Sequence, residues 1–183
     1  MPTIVHGFDW PDRVVIGTVG EPGSRTFYLQ ARDGARIVSV VLEKAQSAVL
    51  AEKIEEILDD LMVDKDNPFS VPAVTSAELV DNDPLDQPIV PVFRTGAMSL
   101  GWDPVTAQIV IEAYSFVEAD EDVSGSASAE PAEMLLVRIP VGAARAFAQR
   151  TLEVVGAGRP ICPRCGSPMD ASGHVCPVPD TLS

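Results

Sequence analysis

Residues 13–42 follow a hydrophobic period of about two and are rich in β-branched side chains, a pattern typical of β-strands. Three such runs cover residues 13–20, 25–32 and 35–42. Asp33 and Gly34 separate the last two runs, and this pair favours a tight hairpin. The sequence therefore predicts a three-stranded meander.

The apolar spacing then becomes helical, with Leu50, Ile54, Ile57, Leu58 and Leu61 on one face. This pattern predicts an amphipathic helix over residues 43–62 that packs on the meander. The next stretch, 64–88, is rich in Asp and Pro, so we expect a linker that is partly ordered at best.

The same order of elements then recurs. Strands are expected at 89–100, 105–117 and 134–139, with an acidic loop at 118–131. A second helix is expected from Val141 to Gly156 or Gly158. We predict an α+β fold of two β-β-β-α units, an internal duplication covering 1–63 and 89–158. The meanders either join into one antiparallel sheet covered by both helices or remain two small packed sheets.

Charge narrows the classes of partner. The formal net charge is −14 and the isoelectric point is near 4.3. Nucleic-acid binding is disfavoured because a phosphate backbone calls for Lys and Arg, and anionic membrane surfaces are disfavoured for the same reason. The first ten residues carry no leader pattern, and no apolar stretch is long enough to span a membrane, so we expect a cytoplasmic protein.

The segment 159–183 holds the clearest chemical signal. Cys162, Cys165, His174 and Cys176 include every cysteine of the chain and one of its two histidines. A Cys-x-x-Cys turn followed by a second close pair is typical of a tetrahedral zinc knuckle. Four protein ligands leave no open position, so the predicted zinc is structural. Iron at the same ligands, or free thiols without metal, remain the alternatives.

Other candidates are weaker. Arg25, Arg94 and Arg138 interrupt apolar strands, where a guanidinium can bind an anion or simply face solvent. We name Arg25 and Arg94 as candidate anion-binding residues. The sequence has no phosphate-binding glycine loop and no nucleophile elbow, so no catalytic residue is assigned.

Several stretches together resemble a family of actinobacterial proteins to which no activity is assigned. They are Phe8-Asp9, residues 11–13, 17–23, 25–27 and 29–31, and the terminal Cys162, Cys165, His174 and Cys176. The resemblance implies that the gene lies beside those of a lipid-kinase-like and a histidine-phosphatase-like protein. It therefore suggests partners and supplies no mechanism.

From these observations we predict a zinc-containing binding or regulatory module, monomeric or a homodimer. Its partner would be an unknown protein, with the kinase-like or phosphatase-like neighbour as a candidate. The alternative is an enzyme that acts on an anionic small molecule in a cleft between the two halves, held by arginines such as Arg25 and Arg94.

Overall fold

A computed structural model of the protein describes residues 3–21, 23–118, 130–156, 162–167, 169 and 174–177. Most of the predicted loop 118–131 lies outside this part of the chain. The elements, in chain order, are β1 (Ile4–Asp9), β2 (Arg13–Val19), β3 (Thr26–Asp33), β4 (Arg36–Leu42), α1 (Lys44–Val63), a short 3₁₀ turn (Ala77–Leu79), β5 (Pro91–Asp103), β6 (Gln108–Ser115), β7 (Glu133–Pro140) and α2 (Val141–Gly156).

The strands form one seven-stranded sheet in the order β1-β7-β6-β5-β4-β3-β2. Strands β1 and β2 therefore lie at opposite edges, although only residues 10–12 separate them. Three residues bridge about 14 Å at most between Asp9 and Arg13. The sheet must consequently curl until its two edges meet near Trp10.

Trp10 itself makes the bend. Its backbone is in the left-handed region, with φ of 56°, and its amide donates to the carbonyl of Arg138 at 3.1 Å. The indole is 59 % exposed. Trp102, by contrast, lies one residue before the end of β5 and packs edge-on against Phe69 at 4.9 Å between ring centroids. The two tryptophans therefore have different surroundings.

The expectation of a sheet that is antiparallel throughout is wrong. Strand β1 is parallel to β7, and the start of β5 is parallel to β4; the other pairs are antiparallel. Strand β1 was not predicted, because its residues lack clear alternation and its partner is distant in sequence. The expectation of two separate small sheets is also wrong, because β4 and β5 join them.

The core lies between the sheet and the two helices. Ile54 and Leu58 of α1 and Phe147 of α2 belong to one cluster with inward residues of the strands, among them Leu29 and Ile111. All five are at most 2 % exposed. Because both helices contribute to this single cluster and pack against each other, the molecule has one hydrophobic core.

The linker 64–88 is held at many points along its length. Arg145 donates to the carbonyl of Pro72 at 2.8 Å, and Gln149 accepts from the amide of Thr75 at 3.0 Å. Near its end, Gln30 bonds both the amide and the carbonyl of Asp86, at 2.8 and 3.0 Å. Side chains of α2 and β3 thus hold the backbone of this predicted linker at Pro72, Thr75 and Asp86.

Candidate metal centre

The first two cysteines stand on a tight turn. The amide of Gly166 donates to the carbonyl of Cys162 at 2.9 Å, and the amide of Cys162 donates to the carbonyl of Ser167 at 2.9 Å. Gly166 has φ of 72°, a conformation that glycine adopts at little cost. The turn folds the chain back directly after Cys165, so both thiols can face one point.

His174 and Cys176 complete the cluster. One ligand atom from each of Cys162, Cys165, His174 and Cys176 lies within 4.8 Å of the others. The two sulfurs of Cys162 and Cys176 are 3.9 Å apart, and Cys165 Sγ is 3.3 Å from His174 Nε2. Two thiolates on one tetrahedral zinc stand about 3.8 Å apart, given zinc–sulfur bonds of about 2.3 Å. The residues therefore fit a tetrahedral ion.

The surroundings favour the ligand form of one thiol. The pKa of the Cys165 thiol is lowered to about 6, mainly by a hydrogen bond with the backbone of Ser167. The hydroxyl of Ser167 contributes next, and His174 contributes less. Cys162 is only 5 % exposed, whereas the other three ligands are half-buried. A metal ion binds the thiolate, so this environment suits coordination.

The candidate anion-binding arginines lie elsewhere. Arg94 is paired with Glu43, and its side chain is 64 % exposed. Arg25 lies over the ring of Phe27, 5.2 Å from its centroid, and reaches the carbonyl of Val154 at 3.4 Å. Arg138 is paired with Asp103. The anion-binding role of Arg25 and Arg94 stays a prediction.

A different set of arginines forms the densest polar network described, and sequence reasoning missed it. Arg13 makes two bonds to the carboxylate of Asp81, one to that of Asp86, and two to the carbonyls of Asp83 and Pro84. These use all five of its N–H groups. The available signal was the run of aspartates at 81–86, which we had assigned to a partly ordered linker.

Arg150 joins this network from α2. It donates to the carboxylate and the carbonyl of Asp81 at 2.9 and 2.7 Å, and to the carbonyl of Ile16 at 3.2 Å. Burial lowers the pKa of Arg150, opposed by the charge of Asp81. The hydrogen bond from Arg13 lowers the pKa of Asp81. The network thus fixes the linker between β2 and α2.

The fold and the cluster define a class of protein: a curled, mixed-sheet α+β domain with a compact Cys₃His group near its C-terminal end. Residues 6–176 match the model of a family described as "Protein of unknown function (DUF3090)". The chain therefore belongs to this family, which confirms the predicted kinship with proteins of unassigned activity. Comparisons with curated proteins and with solved structures find no significant match. None of the helices in the described part of the chain is long and apolar enough to cross a membrane.

Proposed function

We propose that this protein is a cytoplasmic binding or regulatory module whose C-terminal segment is stabilised by a structural zinc ion. The observation that carries the proposal is the convergence of Cys162, Cys165, His174 and Cys176 within 4.8 Å. Three thiolates and one imidazole are a ligand set that zinc prefers, and together they fill a tetrahedral shell. Bound zinc would supply a cross-link between the Cys162–Cys165 turn and residues 174–176.

The saturated arginine network supports a module over an enzyme for anionic substrates. All five N–H groups of Arg13 are already paired with Asp81, Asp86 and backbone carbonyls. Arg94 and Arg138 each have a carboxylate partner as well. An incoming anion would have to displace these partners at Arg13, Arg94 and Arg138. Arg25, whose described contacts are the Phe27 ring and the carbonyl of Val154, remains the candidate residue of the enzyme alternative.

The two-unit layout also belongs to the proposal, and strand pairing supports it. The first half begins with β1, parallel to β7 of the second half. The second half begins with the start of β5, parallel to β4 of the first half. After the bend at Trp10, β1 is followed by β2, which is antiparallel to β3. After a bulge, the start of β5 is followed by the rest of β5, which is antiparallel to β6. An internal duplication with exchanged first strands would produce this pattern.

The proposed partner is a protein. The lipid-kinase-like and histidine-phosphatase-like neighbours that the resemblance implied are the first candidates, with self-association into a homodimer as a further arrangement. Purified candidates mixed with this protein at matched concentrations and followed by analytical ultracentrifugation would detect either complex.

The metal proposal is tested by elemental analysis of protein purified under reducing conditions. We expect about one zinc per chain. The His174→Asn variant should lose the metal, whereas His6→Asn, the matched change at the other histidine, should keep it. Iron in place of zinc would correct the identity of the metal. Equal metal content in the two variants, or none in the wild type after zinc loading, would overturn the proposal.

A further inference from the structure

Two grooves of the molecule occupy corresponding places in its two halves. Leu42 and Ile139 each lie two residues before the helix that follows, and they pair with Phe27 and Ile109. Four residues further along β3 and β6, Ala31 pairs with Val14 and Ala113 pairs with Met98. Val14 and Met98 are therefore corresponding positions of β2 and β5.

The helices correspond in the same way. Helix α1 begins at Lys44 and α2 at Val141. Val49 and Ala146 are each the sixth residue of their helix, and Lys53 and Arg150 are each the tenth. One groove lies between β2 and α2 and is lined by Val14, Ala146 and Arg150 among others; we call it the α2 groove. The other lies between β5 and α1 and is lined by Gln46, Val49, Lys53, Gly96, Met98 and Leu100 among others; we call it the α1 groove.

The α2 groove is occupied by the linker. Leu79 and Asp81 both line it, and a methyl of Leu79 lies 3.3 Å from where a Cβ on Gly142 would stand. Two residues later, the carboxylate of Asp81 accepts from Arg150 at 2.9 Å. The occupant is thus the end of the 3₁₀ turn and the residues that follow it: the side chain of Leu79, itself 44 % exposed, lies against the groove wall, and the carboxylate of Asp81 meets the helix cation. About 240 Å³ of the α2 groove stays open.

The α1 groove has an aliphatic wall and a helix cation as well, but no counterpart of Arg13, and no described residue outside α1 and β5 lines it. Its open volume is about 390 Å³. Val49 is 54 % exposed at its wall. Lys53, the one charged residue of its lining, stands where Arg150 stands in the α2 groove. Its present partner, Glu56 at 2.9 Å, is as exposed as Lys53 itself, so this pair contributes little.

We infer that the α1 groove binds a segment of a partner protein that carries an aliphatic residue followed two residues later by an acidic one. The aliphatic side chain packs on Val49 and Met98, and the carboxylate pairs with Lys53. This inference deepens the proposed role as a binding module by naming the chemistry of its partner, and it does not depend on the metal.

The chain itself supplies the probe. A fluorescently labelled peptide with the sequence of residues 76–86, which includes Leu79 and Asp81, is titrated with the full-length protein and followed by fluorescence anisotropy. We expect saturable binding that weakens about tenfold in Lys53→Glu, because an attractive charge pair becomes repulsive. Lys65→Glu, the same change of charge outside the groove, should leave the affinity unchanged. A peptide with Asn in place of Asp81 should lose the dependence on Lys53.

Three outcomes would overturn the inference. The first is that the wild type fails to bind the peptide. The second is that Lys53→Glu and Lys65→Glu bind it equally, as they would if the peptide displaced the linker from the α2 groove. The third is that binding appears only after residues 177–183 are removed, which would mean that the chain fills its own groove. Zinc content is measured on the same samples. Absence of peptide binding with full zinc content contradicts this inference alone, and loss of zinc with peptide binding intact contradicts the metal proposal alone.

Discussion

Arg13 and Asp81 form a two-pronged ion pair that fastens the linker to the edge of the sheet: Nε lies 2.7 Å from Oδ2, and Nη2 lies 3.0 Å from Oδ1. The Arg13 side chain is only 10 % exposed. Planar pairing of this kind is specific to arginine, because lysine offers a single point charge. The pair therefore explains why an acidic, proline-rich segment has a defined path.

We expect the Asp81→Asn substitution to lower the free energy of unfolding by about 1–3 kcal/mol, because it leaves Arg13 and Arg150 without their shared carboxylate. Asp83→Asn is the matched control, since Asp83 meets both arginines through its backbone carbonyl. Urea unfolding of the two variants measures the difference. Equal stability of both variants would show that the ion pair contributes nothing.

Acid should weaken the same contact. The pKa of Asp81 is lowered in the folded protein by Arg13, so the unfolded state binds protons first as the pH falls. The stabilisation is present above the unfolded pKa and is lost between about pH 5 and the lowered folded pKa. Wild type should therefore lose more stability than Asp81→Asn over this window. Acid also releases any bound metal, but this loss affects both proteins alike, so the difference between them reports on Asp81.

Buried and exposed arginines should differ sharply in their effect on stability. Arg145 is 1 % exposed and pairs with Glu55 and with Asp59, the latter at 3.0 Å. Arg145→Ala leaves the half-buried Glu55 carboxylate unpaired, and we expect a loss of about 3 kcal/mol or more. Arg94→Ala, at an exposed pair with Glu43, should cost less than about 1 kcal/mol. Thermal unfolding of the two variants side by side tests this order, and the reverse order would contradict it.

The thiols should report on metal binding directly. With zinc bound, Cys162, Cys165 and Cys176 should react slowly with iodoacetamide at neutral pH, because a coordinated sulfur is a poor nucleophile. After treatment with a chelator, Cys165 should react first, since its pKa is lowered to about 6 by Ser167. Mass spectrometry of the alkylated peptides gives the order. Equal rates with and without chelator would argue against a metal-bound state.

Local patterns predicted most of the elements. Alternation of apolar and polar residues predicted β2 to β4, and helical spacing predicted α1 with its buried Leu50 and Leu58. The spacing of the cysteines predicted that Cys162 and Cys176 lie close together. These features depend on neighbours in sequence. The signal for β1 was absent because Phe8, its one buried residue, is buried only by partners that come much later in the chain.

The linker shows a second limit. Its aspartates at 81–86 look like a solvated run, since composition alone gives no sign of a partner. Their positive counterparts are Arg13, Arg32 and Arg150, spread over two strands and a helix. Only the fold brings these charges together. Charge pairing across such sequence distances was beyond what the spacing of residues could indicate.

The parallel pairing of β1 with β7 has a consequence for synthesis. Of the strands in the described part of the chain, β1 is synthesised first and its partner β7 last. Residues 4–9 must stay unpaired while the meander of β2 to β4 and helix α1 form nearby. Closure of the curled sheet can occur only after residues 133–140 have emerged, so residues 4–9 find their partner later than the strands that are made after them.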